Sequence, residues 1–342
     1  MGDTPPNQKR YDADADLMRV ICAFFVCMSH GSGTRTFAAV AYNCFSRFSV
    51  PVFVMLSGYY MLARPVPPRR LARRVLTLLG LIFAWSAIFY GYDLLCGVKA
   101  WEGCAVFAEY LLTQPIHLWY LWALLALYLF TPLYGVFSQN ASQGQYRYIL
   151  GLFFLFGSLA LIAVRSGRAP VLELVLDRMK APYVLGFPLY YLVGGYVRRW
   201  GPGSRWERAV LYVLGALGMV WTILGTRLLW DREGLNELWM SFFAPGLVLA
   251  CTASFVWLKA LLSAHPPKPS PLLRELSDCT LGVYLIHPLV ILMLQRGPLE
   301  PVLYGGNDRL FVPLRTALVF VLSSLAVLVL KRVPLLKKLV RT

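Results

Sequence analysis

The stretch RRVLTLLGLIFAWSAIFYGYDLLC (Arg73–Cys96) opens on two arginines and then carries no charge from Val75 to Tyr92. A run of about 20 apolar residues, wound as an α-helix, crosses a hydrocarbon layer ~30 Å thick. Only a helix or a closed barrel satisfies its backbone there, and the length of this run selects the helix. Nine further runs of similar kind flank it, so that spans are expected at 17–35, 41–62, 73–96, 116–137, 148–165, 181–197, 209–226, 238–258, 277–296 and 310–330. The expected fold is an all-α, polytopic membrane protein of about ten transmembrane helices. Composition agrees: of 342 residues, 58% are hydrophobic and 15% charged, more apolar surface than one soluble core can hide.

The net charge of +16 raises nucleic acid as a partner, and the position of the charge decides against it. With the N-terminus on the inner side, most of the 33 lysines and arginines fall on inner loops, including the cluster from Arg64 to Arg74 and the tail after Leu330, while most of the 17 acids fall outside. That asymmetry orients the chain with both termini cytoplasmic and makes the bilayer its partner. The first residues are polar with acids (Asp3, Asp12, Asp14) and the first apolar run is too long for a cleaved signal, so the first helix is expected to stay. The seven cysteines lie mostly inside spans without metal-ligand spacing and read as small core residues; Cys96 and Cys104 flank one outer segment and could pair. No linker divides the chain, which reads as a single membrane domain over 1–342 with no appended soluble domain, and no internal repeat is visible. Outer segments mix charge with aromatics (Trp101, Glu102 and Glu109; Arg168, Glu173, Asp177, Arg178 and Lys180; Trp230, Asp231, Arg232 and Glu233), which suits a carbohydrate and equally suits ordinary solvated loops.

Ionisable groups inside spans cost a few kcal/mol and are retained for function or for a buried partner. Arg19 and His30 lie eleven residues apart in the first span, on nearly one face and roughly 16 Å apart along the axis. Small residues between them, Ala23 and Val26 with Cys22 and Cys27 beside, leave room for a ligand. Asp16 and Arg19 are spaced to pair. A second imidazole, His287, stands in the ninth span after Tyr284. A lone histidine at such depth could be a core residue satisfied by a hydroxyl, but two could share a cavity. In the second span Pro51 and Gly58 allow a bend and a close approach of backbone or ligand. Arg69, Arg70, Arg73 and Arg74 open the third span; they could grip phosphates or contact anionic headgroups. His117, Trp119 and Tyr120 begin the fourth, where an interfacial aromatic belt is the plain reading.

These segments, in this order, resemble acyltransferase family 3, integral membrane acyltransferases that mostly O-acetylate bacterial surface polysaccharides. The resemblance covers essentially the whole chain. It rests on Asp16-x-x-Arg19 with His30, on Val50-Pro51-Val52-Phe53 leading to Ser57-Gly58-Tyr59, on Arg70-x-x-Arg73, on His117-Leu118-Trp119-Tyr120-Leu121 with Leu127-Tyr128-x-x-x-Pro132, and on Gly282 to Pro288. It implies an acyltransferase using acetyl-CoA or another acyl-CoA, with no metal, on a glycan or lipid-linked sugar acceptor at the bacterial inner membrane. His30, Arg19 and Asp16 become the expected catalytic residues, Arg70, Arg73 and Arg74 the acyl-CoA site, and Ser57, His117, Trp119, Tyr284 and His287 the cavity. Membrane transporters or exporters of related fold remain the alternative. Direct transfer and an acyl-enzyme also both stay open.

Overall fold

The computed structural model describes residues 12–33, 36–113, 116–167, 170–178, 186–233, 237–334 and 336–340. Among the described residues the chain is helical and carries no strand. In order the helices are α1 (Ala13–Gly31), α2 (Phe37–Ser46), α3 (Ser49–Met61), α4 (Pro68–Leu95), α5 (Cys104–Thr113), α6 (Trp119–Asn140), α7 (Gln143–Phe154), α8 (Leu161–Arg165), α9 (Pro170–Arg178), α10 (Pro188–Trp200), α11 (Arg205–Glu233), α12 (Pro245–Ala264), α13 (Pro271–Arg296), α14 (Glu300–Gly305) and α15 (Asp308–Arg332). Their starts follow local chemistry. Asp12, Thr36, Ser142, Ser270 and Asn307 cap α1, α2, α7, α13 and α15 with side-chain oxygens on orphan N–H groups, and proline opens α4, α12 and α13, where its missing donor costs nothing.

Eight helical segments are long and apolar enough to cross a membrane, which makes the chain a multi-pass membrane protein. Every expected span overlaps a helix, but two fall short of that measure. The first, α1, carries Asp14, Asp16 and Arg19 in its opening turns, and the sixth, α10, is only 13 residues long within the described part of the chain. The second span is two helices. Pro51 would clash with the carbonyl four residues back, that of Arg47, and the chain breaks there, between Ser46 and Ser49, leaving Pro51 in the first turn of α3 where no donor is missed.

Gly58 admits a backbone rather than a ligand: a Cβ on it would lie 1.8 Å from the Tyr191 carbonyl oxygen of α10, and one on Gly194 would lie 1.9 Å from that of Met55. In a bilayer, helices associate through such close contact because lipid supplies no hydrophobic drive between them. Cys96 and Cys104 are free and exposed, not joined, and the other five cysteines are free and buried. Leu214, Leu217 and Trp221 of α11 and Leu322, Leu325 and Val329 of α15 stay exposed, as lipid-facing side chains do. Of the outer polar segments, Arg168, Lys180 and the side chains of Glu173, Asp177, Asp231, Arg232 and Glu233 lie outside the described residues.

Candidate functional site

Two contacts fix how α1 and α13 run. Near their starts Ser277 donates to Asp16 (2.7 Å), and near the end of α1 the His30 and His287 rings lie 5.1 Å apart between centroids. The two helices are therefore parallel. His117, just before α6, comes to the same place: its ring is 6.3 Å from that of His287, against Phe89 at 4.5 Å. Tyr284, one turn before His287, donates its hydroxyl to the His117 carbonyl. Three imidazoles from three distant segments thus form one cluster.

They are not equivalent. His287 is fully buried, and its Nδ1 lies 3.1 Å from the Val283 carbonyl. The Nε2 atoms of His287 and His117 are both buried without a hydrogen-bond partner among the described residues. His30, packed against His287 on one side, keeps exposed surface. An accessible imidazole in that position can take a proton or briefly carry an acyl group.

At the opposite end of α1, Asp16 accepts from Arg19 (2.9 Å) as well as from Ser277, and leaves the guanidinium partly exposed. Arg74, partly exposed, lies 5.9 Å over the Tyr128 ring, and its guanidinium donates to the Met61 sulfur (2.8 Å) and reaches the Tyr128 hydroxyl. Ser57 also reaches the Tyr128 hydroxyl, and Arg19 is within electrostatic range of both Tyr128 and Tyr120. Tyr120 in turn lies 5.5 Å from Tyr284, itself 6.2 Å from His287. A line of hydroxyl-bearing rings, Tyr128, Tyr120 and Tyr284, joins the arginine end to the imidazole end. Arg70 and Arg73 are exposed on the first turns of α4 and outside this line. Two guanidinium groups spending so few of their donors suit phosphate oxygens. Trp119 is not brought to the imidazoles; its ring packs on Phe187 and Phe242 at 5.4 and 5.3 Å.

Two functional candidates were missed by the sequence reading. Arg47, at the break between α2 and α3, lies 5.6 Å over the Phe242 ring and donates to Asn43, whose amide holds the carbonyl of Ser29 beside His30 (3.2 and 3.0 Å). Arg315 of α15 is almost wholly buried and spends its guanidinium on the carbonyls of Gly31 (2.7 Å), Ser32 (2.5 Å) and Leu303 (3.0 Å) and on Asp308 (3.1 Å). It pins the chain directly after His30. Both arginines lie inside expected apolar spans, so the signal that singled out Arg19, an ionisable group in lipid, marks them too. Among the described residues no group of histidines, cysteines and acids is arranged to hold a metal ion.

Compared with known proteins, the chain matches over residues 12–332 the sequence model of a family described as an acyltransferase domain. No curated protein and no solved structure matches it.

Proposed function

Since the chain belongs to this acyltransferase family, whose pattern spans essentially its whole length, we propose that it moves an acyl group, acetyl in the first instance, from acyl-CoA to a hydroxyl of a cell-surface glycan or lipid-linked sugar. One observation supports the reading: His30 keeps exposed surface beside His287 and is linked by a line of tyrosines to the guanidinium groups of Arg19 and Arg74. The distribution of positive charge supports reading the arginine end as the cytoplasmic one, with both termini inside, and the family resemblance supports the bacterial inner membrane as the site of action. There Arg19 and Arg74 meet the donor's phosphates, with Arg70 and Arg73 further out on the same helix, and Asp16 holds Arg19 in place.

The acyl thioester extends along Ser57, Tyr128, Tyr120 and Tyr284 toward His30. Neutral His30 takes the proton of the acceptor hydroxyl as the oxygen attacks the acyl carbon, and returns it to the CoA sulfur as the carbon–sulfur bond breaks. An acyl-imidazole on His30, formed and then cleaved by the acceptor, uses the same residues in two steps. His117 and His287 close the polar cluster around the reacting groups.

Purified protein in nanodiscs, given labelled acetyl-CoA and surface glycan, should release CoA and label the glycan, and well-folded His30→Ala should do neither. Normal product from that variant would remove the proposal. Solute flux in proteoliposomes lacking CoA would instead favour a transporter. Mass spectrometry of surface glycans from cells with and without the gene identifies the acceptor by the lost acyl mass.

A further inference from the structure

The hydrogen bonding of His287 is incomplete in an informative way. A carbonyl can only accept, so the 3.1 Å contact to Val283 places the ring proton on Nδ1 and leaves the neutral ring a lone pair at Nε2. That acceptor is buried and unpartnered among the described residues, a costly condition that native structures do not keep without a reason. The nearest ring is His30 at 5.1 Å, with His117 farther at 6.3 Å. Among the described residues no hydrogen bond or ion pair joins a carboxylate to any of the three rings, so none supplies the orienting partner that a catalytic imidazole ordinarily has.

The two rings are adjacent but not hydrogen-bonded in this structure. We propose that His287 is the positioning residue for His30: in the working enzyme the His30 N–H nearer α13 donates to the Nε2 lone pair of His287, which leaves the opposite nitrogen of His30 as the base. This rests on reading His30 as the base. In the reaction the acceptor proton moves to that outer nitrogen while the oxygen–carbon bond forms, and leaves it for the CoA sulfur when the carbon–sulfur bond breaks. The inner N–H stays on His30 throughout, so His287 holds geometry and tautomer and gains or loses no proton. The arrangement does with two imidazoles and a backbone carbonyl what an imidazole and a carboxylate do elsewhere.

With only four histidines in the chain, ¹⁵N-histidine spectra of the whole protein in nanodiscs resolve each ring, assigned by replacing them one at a time. Wild-type protein should show His287 protonated at Nδ1 with a hydrogen-bonded lone pair at Nε2, and His30 in a single tautomer. His287→Phe should turn His30 into a mixture of tautomers and lower kcat by roughly 10- to 100-fold while KM for acetyl-CoA stays within about twofold. His287→Gln, whose amide oxygen reaches the Nε2 position, should restore part of that loss, and the shorter His287→Asn should not. A wild-type His287 protonated at Nε2 or bonded to His117, an unchanged His30 tautomer in His287→Phe, or equal rates in the Gln and Asn variants would each overturn the proposal. The spectra need no turnover, so wild-type protein that transfers no acyl group sinks the acyltransferase reading while the tautomers still decide the dyad.

Discussion

Gly58→Ala is the perturbation for which the structure gives the plainest magnitude. The new methyl would stand 1.8 Å from the Tyr191 carbonyl oxygen and 2.7 Å from its carbon, whereas ordinary contact begins near 3.4 Å, so α3 and α10 must part by about 1.6 Å. Neither side yields easily, because both are backbone in regular helix and Tyr191 is tied by its hydroxyl to Thr131 (2.8 Å). Gly194 presses on Met55 from the other helix in the same way, so the shift cannot be relieved by sliding one helix over the other. Overpacking costs about 1–3 kcal/mol when side chains can adjust, and two rigid backbones put this site at or above the upper figure, which for a protein of this size lowers the melting temperature by roughly 5–10 °C. The separation also draws Ser57 away from Tyr128, so donor binding should weaken in the protein that still folds. The assay is thermal unfolding in nanodiscs followed by acetyl-CoA titration. Gly80→Ala, on a face of α4 with nothing within 4 Å, serves as the control and should be neutral or slightly stabilising. A melting temperature for Gly58→Ala within about 1 °C of wild type would refute the close-packing account, since a change without mechanism stays within about 0.5 kcal/mol.

Arg315→Met removes four hydrogen bonds and the cationic partner of Asp308, leaving that carboxylate only the Thr36 hydroxyl among the described residues, and should cost about 3–5 kcal/mol in unfolding experiments, with Arg315→Lys intermediate because an ammonium cannot span three carbonyls. Isothermal titration should show Arg74→Ala weakening acetyl-CoA binding by about 1.5–3 kcal/mol, and Arg70→Ala with Arg73→Ala weakening it further; unchanged affinity in that pair would assign those two arginines to topology and headgroups. Burial opposes the charge on Asp12, but the Tyr60 hydroxyl and the Ala15 N–H, with Lys259 and Arg19 nearby, outweigh it and hold the carboxyl below its usual 3.8. Its stabilisation is therefore complete above that value and lost as pH falls through the lower folded one, so a melting-temperature profile from pH 6 to 3 should be flatter at its acid end for Asp12→Asn.

The fold was legible because lipid imposes one simple rule on sequence, a long uncharged run for each crossing, and Val75 to Tyr92 obeys it without ambiguity. Where the run does other work the rule weakens. In α1 the acids and Arg19 of its opening turns lower its apolarity below that of an ordinary span, and in the second span Pro51 splits one run into two helices. Of the site, the pairing of Asp16 with Arg19 follows from helical spacing, and spacing puts His30 and His287 at depths where they could meet. What spacing cannot reveal is which neighbour fills a gap between helices. The Gly58 notch holds the Tyr191 carbonyl, and Trp119 turns to Phe187 and Phe242, because α10 and the segment before α12 arrive there from far along the chain.

The two arginines that went unnoticed explain why the imidazole cluster sits where it does. His30 is next to last in α1, and the carbonyls at such an end lack intrahelical partners. In water they would be hydrated; within a bundle they need donors or the end frays. Asn43 supplies one to Ser29, and Arg315 supplies two, to Gly31 and Ser32. The helix can therefore stop with His30 keeping exposed surface, at a depth where an unsupported end would unwind. Asp308 extends the support by accepting from both Arg315 and Thr36, the cap of α2, so the first turn of α15, the end of α1 and the start of α2 form one rigid corner. The base proposed at His30, held on such a corner, would keep its position while the proposed acyl donor moves past it, and positioning of this kind within fractions of an ångström is what acyl transfer to a hydroxyl demands.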